Sequence, residues 1–549
     1  MSRRRIFVGL VTGWLLALSL LTAPVARAQT VTLALPVPAT DDLAVVVETG
    51  SRLERDRRWA EALTYWEDAY RKHPDRADFQ QKASLARAHY DVCRRYGDQS
   101  YLNSLNTLTE RDALAIYDEV LLKVQSHYVH DPQWQRIVQS GLTNVQVAVT
   151  EAPFVARHLS ATPVDRLAAL QDDAAGMISS RRITDRRQAY DMVRSVATGL
   201  REKHGLSPQA VIFEFTSGAA AALDEYSGFL TGGQMDEVFS QIEGNFVGLG
   251  VELKTEPAGL LIVNVIPTGP GYQGGIRQGD RIVAVDSKTT ADVSPDAMAD
   301  MLRGAEGSVV NVAVRDPSGA ERPLRLARRR VEVPSVDQVK MLDDQVGYFK
   351  LTSFQKTTSR DVDAALWKLH EQGMRQLIID LRGNPGGLLK AAVDVADRFV
   401  YEGLIVATRG RSPREDFDHK GEVAGTWRMP LVILIDHDSA SASEILAGAI
   451  RDHRRGAIVG EKSYGKGSVQ GIFPLAVANV GIRLTTAKWY TPSGQAISGA
   501  GIKPDVEVQA ALKPVVGGSA TSEVADPILA AGLQACRAQI ATQPVTRRP

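Results

Sequence analysis

Ser441, Lys466 and Gln470 have the residue types and spacing that acyl transfer requires. A serine hydroxyl becomes a useful nucleophile only when a neighbouring group takes its proton. Ser441 lies in Asp436-His437-Asp438-Ser439-Ala440-Ser441-Ala442-Ser443-Glu444-Ile445, and the other two lie in Gly465-Lys466-Gly467-Ser468-Val469-Gln470. By type alone His453 is the obvious base. It follows Ser441 by twelve residues, however, and along a continuous helix that is roughly 18 Å of rise, beyond hydrogen-bond reach. His437 precedes the bend and is not removed by this argument. Lys466 is the better base, because the glycines on either side let backbones approach closely. In an extended segment Gln470 shares its face, since strand side chains alternate with period two. Its amide oxygen could then accept from the lysine and fix its direction.

Lysine acts as a base only when neutral. At its ordinary pKa of about 10.4, roughly one molecule in 2,500 is neutral at pH 7. Lowering that value to about 7 takes about 4.6 kcal/mol of preference for the uncharged form, which burial can supply. Val469, Ile472 and Phe473 make the surroundings apolar enough for this.

Two strand-to-helix bends must position these groups. The apolar run Leu431 to Ile435 reads as a buried strand, and Ser443-Glu444-Ile445 begins a helical pattern lasting to about Arg451. A serine at that bend exposes its hydroxyl, and the amide after it points as a helix N-terminus does, toward developing negative charge. The simpler reading is that Ser439, Ser441 and Ser443 are a helix-capping cluster. Upstream, the strand Gln376 to Asp380 turns through Leu381-Arg382-Gly383-Asn384-Pro385-Gly386-Gly387 into a helix from Leu388. Strands alternating with helices here imply an α/β core.

The paired motifs Ser-Ala-Ser-Ala-Ser-Glu-Ile and Gly-Lys-Gly-Ser-Val-Gln resemble the C-terminal processing peptidases, or tail-specific proteases. The resemblance implies a Ser-Lys dyad with Ser441 as nucleophile, Lys466 as base and Gln470 orienting it, at the family spacing (466 − 441 = 25). Asp452 falls where the family has an acidic residue tied to activity. The helix-length argument puts it too far for direct chemistry, so a supporting role is expected. Leu381 to Gly387 is similar to the family's oxyanion segment, which assigns one donor to the amide of Gly387, with the amide of Ala442 as the second. Ala113 to Asp131 and Leu223 to Leu230 resemble the helical cap of these enzymes. Asn245 to Leu253 resembles the Gly-Leu-Gly loop and strand of a PDZ domain, and Gly274 to Asp286 its second hallmark. This implies that Gly248, Leu249, Gly250 and Val251 hold a substrate tail. Glycine amides would capture the terminal carboxylate while the peptide adds a strand beside Val251 to Leu253.

The expected fold is multidomain α+β. It comprises a signal peptide (1–28), a linker (29–40) and a helical N-terminal region (41–234). A PDZ domain (235–332), a peptidase core of α/β type (333–510) and a tail with a short helix, Pro527 to Ile540 (511–549), follow. The signal reading rests on basic Arg3 to Arg5, apolar Ile6 to about Leu21 and small residues at Ala26 and Ala28. An uncleaved anchor is the alternative. Gly50, Ala62, Trp66, Ala69 and Pro74 resemble one tetratricopeptide helix pair, without a second copy 34 residues on. Residues 145–215 look like an insertion. The 64 basic and 64 acidic residues balance, so nothing suggests nucleic acid. Cys93 and Cys536 stand far apart and their pairing stays open, while the ten histidines show no metal-ligand spacing. Neither metal nor cofactor is expected.

The sequence therefore predicts a serine endopeptidase of the periplasm or cell envelope that cuts proteins or peptides near their free C-termini. A protein partner of the helical region is a further expectation, and membrane contact arises only if the signal is retained. The competing class is a non-catalytic, exported PDZ and helical-repeat adaptor.

Overall fold

The computed structural model describes residues 43–179, 181–256, 259–289, 298, 301–422, 426–509 and 526–542. The expected signal peptide and linker, and most of the expected tail, lie outside the described residues. A six-stranded sheet carries the site. Its order is Val336–Met341, Val346–Leu351, Gln376–Asp380, Leu431–Ile435, Ala457–Gly460 and Val506–Glu507. The first pair is antiparallel and every other pair parallel. Gln376–Asp380 and Leu431–Ile435 are buried throughout, as parallel strands covered on both faces must be. Helices Thr358–Glu371, Leu389–Asp397 and Ala442–Asp452 pack on one face through Leu366, Val395 and Leu446. The C-terminal helix Pro527–Thr542 covers the other face, with Ile528 and Cys536 against Ile378, Val432 and Leu434. Neither cysteine is in a disulfide.

Three neighbouring parallel strands end on the segments that matter: Asp380 before the glycine turn, Ile435 before Ser441 and Gly460 before Lys466. Open α/β sheets bind their ligands at these carboxyl ends. A second, antiparallel sheet stands beside the first. It runs Gly228–Leu230, Gly481–Tyr490, Gly403–Gly410, Phe417–Gly421, with Ser468–Pro474 also paired to Gly481–Tyr490.

The helical region packs on that second sheet, its core continuing into Ile482 and Leu484. Its first two helices, Leu43–Arg55 and Trp59–Lys72, meet where Gly50 faces Trp66. A Cβ on Gly50 would stand 2.2 Å from the indole ring, which accounts for the Gly-Trp spacing. The 145–215 segment is no loose excursion. It supplies helices Ala152–His158, Val164–Ser179 and Arg186–His204 and half of Pro208–Ala221, whose residues are buried almost end to end. Its helices pack closely, for a Cβ on Gly199 would lie 2.6 Å from Met177 Cε.

The PDZ domain folds around Leu260, Ile262, Ile282 and Val312. Its strands are ordered Val251–Glu256, Gly259–Val265, Arg281–Val285, Val309–Arg315, Glu321–Ala327. Val251–Glu256 is thus an edge strand among the described residues. Asn245–Gly248 pairs with Arg329–Glu332 where the domain joins the body.

Candidate active site

Ser441 is the residue just before helix Ala442–Asp452 and takes φ 57°, ψ −109°. A left-handed conformation costs a serine roughly 1–3 kcal/mol, so its surroundings must enforce it. The flanking serines do part of this. Ser439 Oγ donates to the Leu381 carbonyl at 2.9 Å and Ser443 Oγ to the Asn384 carbonyl at 2.9 Å. The Ala440 amide also donates to that Asn384 carbonyl, at 3.0 Å. The hydroxyls of Ser439 and Ser443 are therefore spent on joining two loops, while Ser441 lines a narrow cleft with Gly387 and Trp489.

Glu444 adds the main constraint. Its carboxylate, 1% exposed, accepts from the Ser441 amide (2.7 Å), Ser463 Oγ (2.6 Å), the Gly465 amide (2.6 Å) and the Lys466 amide (2.9 Å). Burial pushes its pKa up, and these donors oppose that shift. One carboxylate thereby ties the backbone of Ser441 to that of Lys466.

The Lys466 amine is buried, the residue being 1% exposed. Burial, with the Arg483 charge adding to it, lowers its pKa to about 7, while Glu225, Asp224 and Glu444 pull the other way. Nζ makes no hydrogen bond among the described residues and lies 4.5 Å from the centre of the Tyr226 ring. Glycine is needed beside it, since a Cβ on Gly467 would come within 2.6 Å of the Ser498 amide nitrogen.

Gly387 has φ 144°, and a Cβ there would stand 2.0 Å from the Phe354 carbonyl oxygen, so no other residue fits the turn. Asn384 holds this turn from within, donating to the Leu351 carbonyl (2.7 Å) and accepting from the Gly386 amide (2.8 Å).

With this geometry in place, the chain compares closely with known proteins. A model of peptidase family S41 matches residues 345–508, and a PDZ domain model matches 261–316. A carboxy-terminal-processing protease of Bartonella bacilliformis is 36% identical over 313 residues, covering 55% of this chain and 71% of that protein. The chain belongs to peptidase family S41, among the carboxy-terminal-processing proteases. It is a serine-type peptidase. A chloroplastic carboxyl-terminal-processing peptidase of Arabidopsis thaliana is 35% identical over 297 residues, 51% of this chain and 57% of that one. A solved photosystem II D1 C-terminal processing protease is 25% identical, covering 72% of this chain and 93% of its own, with a TM-score of 0.38.

Several sequence expectations can now be placed in this S41 peptidase. Gln470 does not accept from Lys466 in this conformation. Its amide nitrogen donates to Ser468 Oγ (2.9 Å) and Thr485 Oγ1 (3.4 Å), and its Oε1 is unpaired. The period-two argument fails because the strand begins only at Ser468 and its register shifts between Val469 and Gln470. Asp452 closes the far end of helix Ala442–Asp452 and accepts from the Ser493 amide at 3.0 Å. His437 has its side chain 73% exposed and faces Glu461 and Asp438. His453 Nε2 is 2.7 Å from the Leu404 carbonyl. In the PDZ domain, the Leu249 carbonyl accepts from the Gly271 amide (2.7 Å) and the Gly250 carbonyl from the Ile266 amide (2.8 Å), which fixes the loop before the edge strand. Sequence reasoning missed Glu444, Tyr226 and Arg483. Glu444 was visible only as an acid three residues after Ser441, the position of a helix-capping partner.

Proposed function

We propose that this S41 peptidase is an exported endopeptidase that grips a protein's C-terminal tail through its PDZ domain and cuts nearby with a Ser441–Lys466 dyad. The observation that carries this reading is a buried lysine amine, its pKa lowered to about 7, whose backbone shares the Glu444 carboxylate with the backbone of Ser441. Neutral Lys466 takes the Ser441 proton as the oxygen attacks the substrate carbonyl. To do so the amine turns from the Tyr226 ring to the hydroxyl, with no hydrogen bond to break. The tetrahedral oxyanion is received by the amides of Gly387 and Ala442, each such donor contributing about 3–4 kcal/mol. Lys466 then returns the proton to the leaving amine, and water hydrolyses the acyl ester with the same base. Gln470, whose Oε1 is unpaired, would accept from the lysine once it turns. The edge strand Val251–Glu256 leaves one side open to an added peptide strand, which supports tail binding by Gly248 to Val251.

Incubating the protein with an unfolded substrate that ends in an apolar tail tests the reading, with products followed by mass spectrometry. Ser441→Ala and Lys466→Ala should each lower cleavage by about a thousandfold or more. Cleavage that survives Lys466→Ala would return the base assignment to another residue, and binding without cleavage by the wild-type protein would favour an adaptor.

A further inference from the structure

In this conformation the amine of Lys466 rests on a ring. Nζ lies 4.5 Å from the centre of the Tyr226 ring and makes no hydrogen bond among the described residues, to Ser441 or to any other group. The backbone beneath it is fixed. The Lys466 amide donates to Glu444 at 2.9 Å, and the Lys466 carbonyl accepts from Trp489 Nε1 at 2.9 Å. Moving the amine from the ring to Ser441 is therefore a matter of side-chain torsions alone.

The ring is held as firmly. The Tyr226 amide donates to Asp224 Oδ1 at 2.9 Å, and the Ser227 amide donates to the same oxygen at 2.8 Å. The Tyr226 carbonyl accepts from Arg483 Nε at 2.7 Å, and Gly228 then pairs with Arg483 across two strands. Burial, with the Glu225 charge adding to it, pushes the Tyr226 hydroxyl up, so the ring stays a neutral phenol with an electron-rich face. Such a face attracts an ammonium through its quadrupole and has far less hold on an uncharged amine. The charges about Lys466 are Arg483, which opposes the ammonium, and Glu225, Asp224 and Glu444, which favour it. Tyr464, two residues before Lys466, meets the Tyr226 hydroxyl. None of these groups hydrogen-bonds Nζ, whereas the ring face touches it.

We infer that Tyr226 is a positioning residue for the base: its ring seats the Lys466 ammonium away from Ser441, and loss of the proton frees the amine to reach the serine hydroxyl. The inference rests on the assignment of Lys466 as base. The lysine then has two positions, and the ring competes with Ser441 only while the lysine is charged.

The test labels Ser441 of the full chain with a fluorophosphonate across the pH range in which Lys466 titrates, without a peptide substrate. Labelling of the wild type should rise through about pH 7. Tyr226→Leu removes the ring face and should move the rise down by about half to one and a half pH units, the equivalent of one cation–π contact. On the acidic side of the wild-type rise this variant should therefore label several-fold faster than wild type, a gain that damaged packing cannot produce. Tyr226→Phe keeps the face and should leave the rise where it is. Pentafluorophenylalanine at the same position keeps the shape but not the electron-rich face, so it should follow Tyr226→Leu. It also replaces that variant if Tyr226→Leu does not fold. A slower Tyr226→Leu protein with an unmoved rise overturns the inference, and so does a Tyr226→Phe rise that shifts as far as that of Tyr226→Leu. If Lys466→Ala labels as fast as wild type, the base assignment fails instead, an outcome separable from both.

Discussion

An amine that works only when neutral imposes a sign on the pH dependence. In the proposed dyad, Lys466 below about pH 7 is an ammonium and cannot accept the Ser441 proton, so kcat/KM should rise through about 7 and then level off. Burial is the main cause of the low pKa and survives most substitutions nearby. The second cause is a single residue. Arg483 donates through Nε to the Tyr226 carbonyl at 2.7 Å, and its charge disfavours a second cation at Lys466. Arg483→Met removes that repulsion, raises the lysine's pKa and should move the rising limb to higher pH. A pH profile of kcat/KM for wild type and variant decides the matter, and an unmoved limb would mean that burial alone sets the base. The glycines beside Lys466 belong to the same account, since they let the chain pass Ser498 and Gly499 closely enough to enclose the amine.

At the scale of elements, the site is two loops brought together at the ends of neighbouring parallel strands, and Glu444 is where they touch. Its four donors come from the start of the nucleophile helix and from the 463–466 segment. Glu444→Gln places an NH2 group where amides donate, leaving at least one buried donor unpaired at about 1–3 kcal/mol. It should lower both the melting temperature and the rate at which a fluorophosphonate labels Ser441, the latter by about tenfold or more. Full labelling at the wild-type rate would show that the loops hold their geometry without it. This contact also marks the limit of what a linear reading reveals. Strand Leu431–Ile435, the bend and the helix were legible because apolar runs and small residues report local structure. The candidate roles of Ser441, Lys466 and the Gly387 turn come from types and spacing that resemble a known family. The partners of Lys466 were not. Tyr226 reaches it from a loop 240 residues upstream, Arg483 lies on the strand paired with Ser468–Pro474, and Gln470 follows a register shift that a period-two rule does not foresee. The packing of the 145–215 segment was illegible for a related reason: alanine-rich composition does not say which helices meet, and only contacts such as Gly199 with Met177 show it.

For the whole molecule, the question is what a PDZ domain adds to a peptidase that already has its own cleft. The domain carries its own core and meets the body where Asn245–Gly248 pairs with Arg329–Glu332. A tail bound beside Val251–Glu256 would therefore hold the rest of the substrate near Ser441 at high effective concentration. Tethering of this kind lowers KM and leaves the chemical step alone. Two substrates differing only in a free or amidated C-terminus should therefore show similar kcat, with KM about tenfold higher for the amide, because the loop amides lose their carboxylate. The difference should vanish in Gly250→Val. That glycine has φ 74°, and a Cβ on it would stand 2.9 Å from the Cα of Gly269, so a branched side chain must deform the loop. Should the amidated substrate instead lose kcat with KM unchanged, tail binding would be switching the dyad on rather than concentrating the substrate. The swing of Lys466 from Tyr226 toward Ser441 would then be the step to follow, by comparing fluorophosphonate labelling with and without a non-cleavable tail peptide.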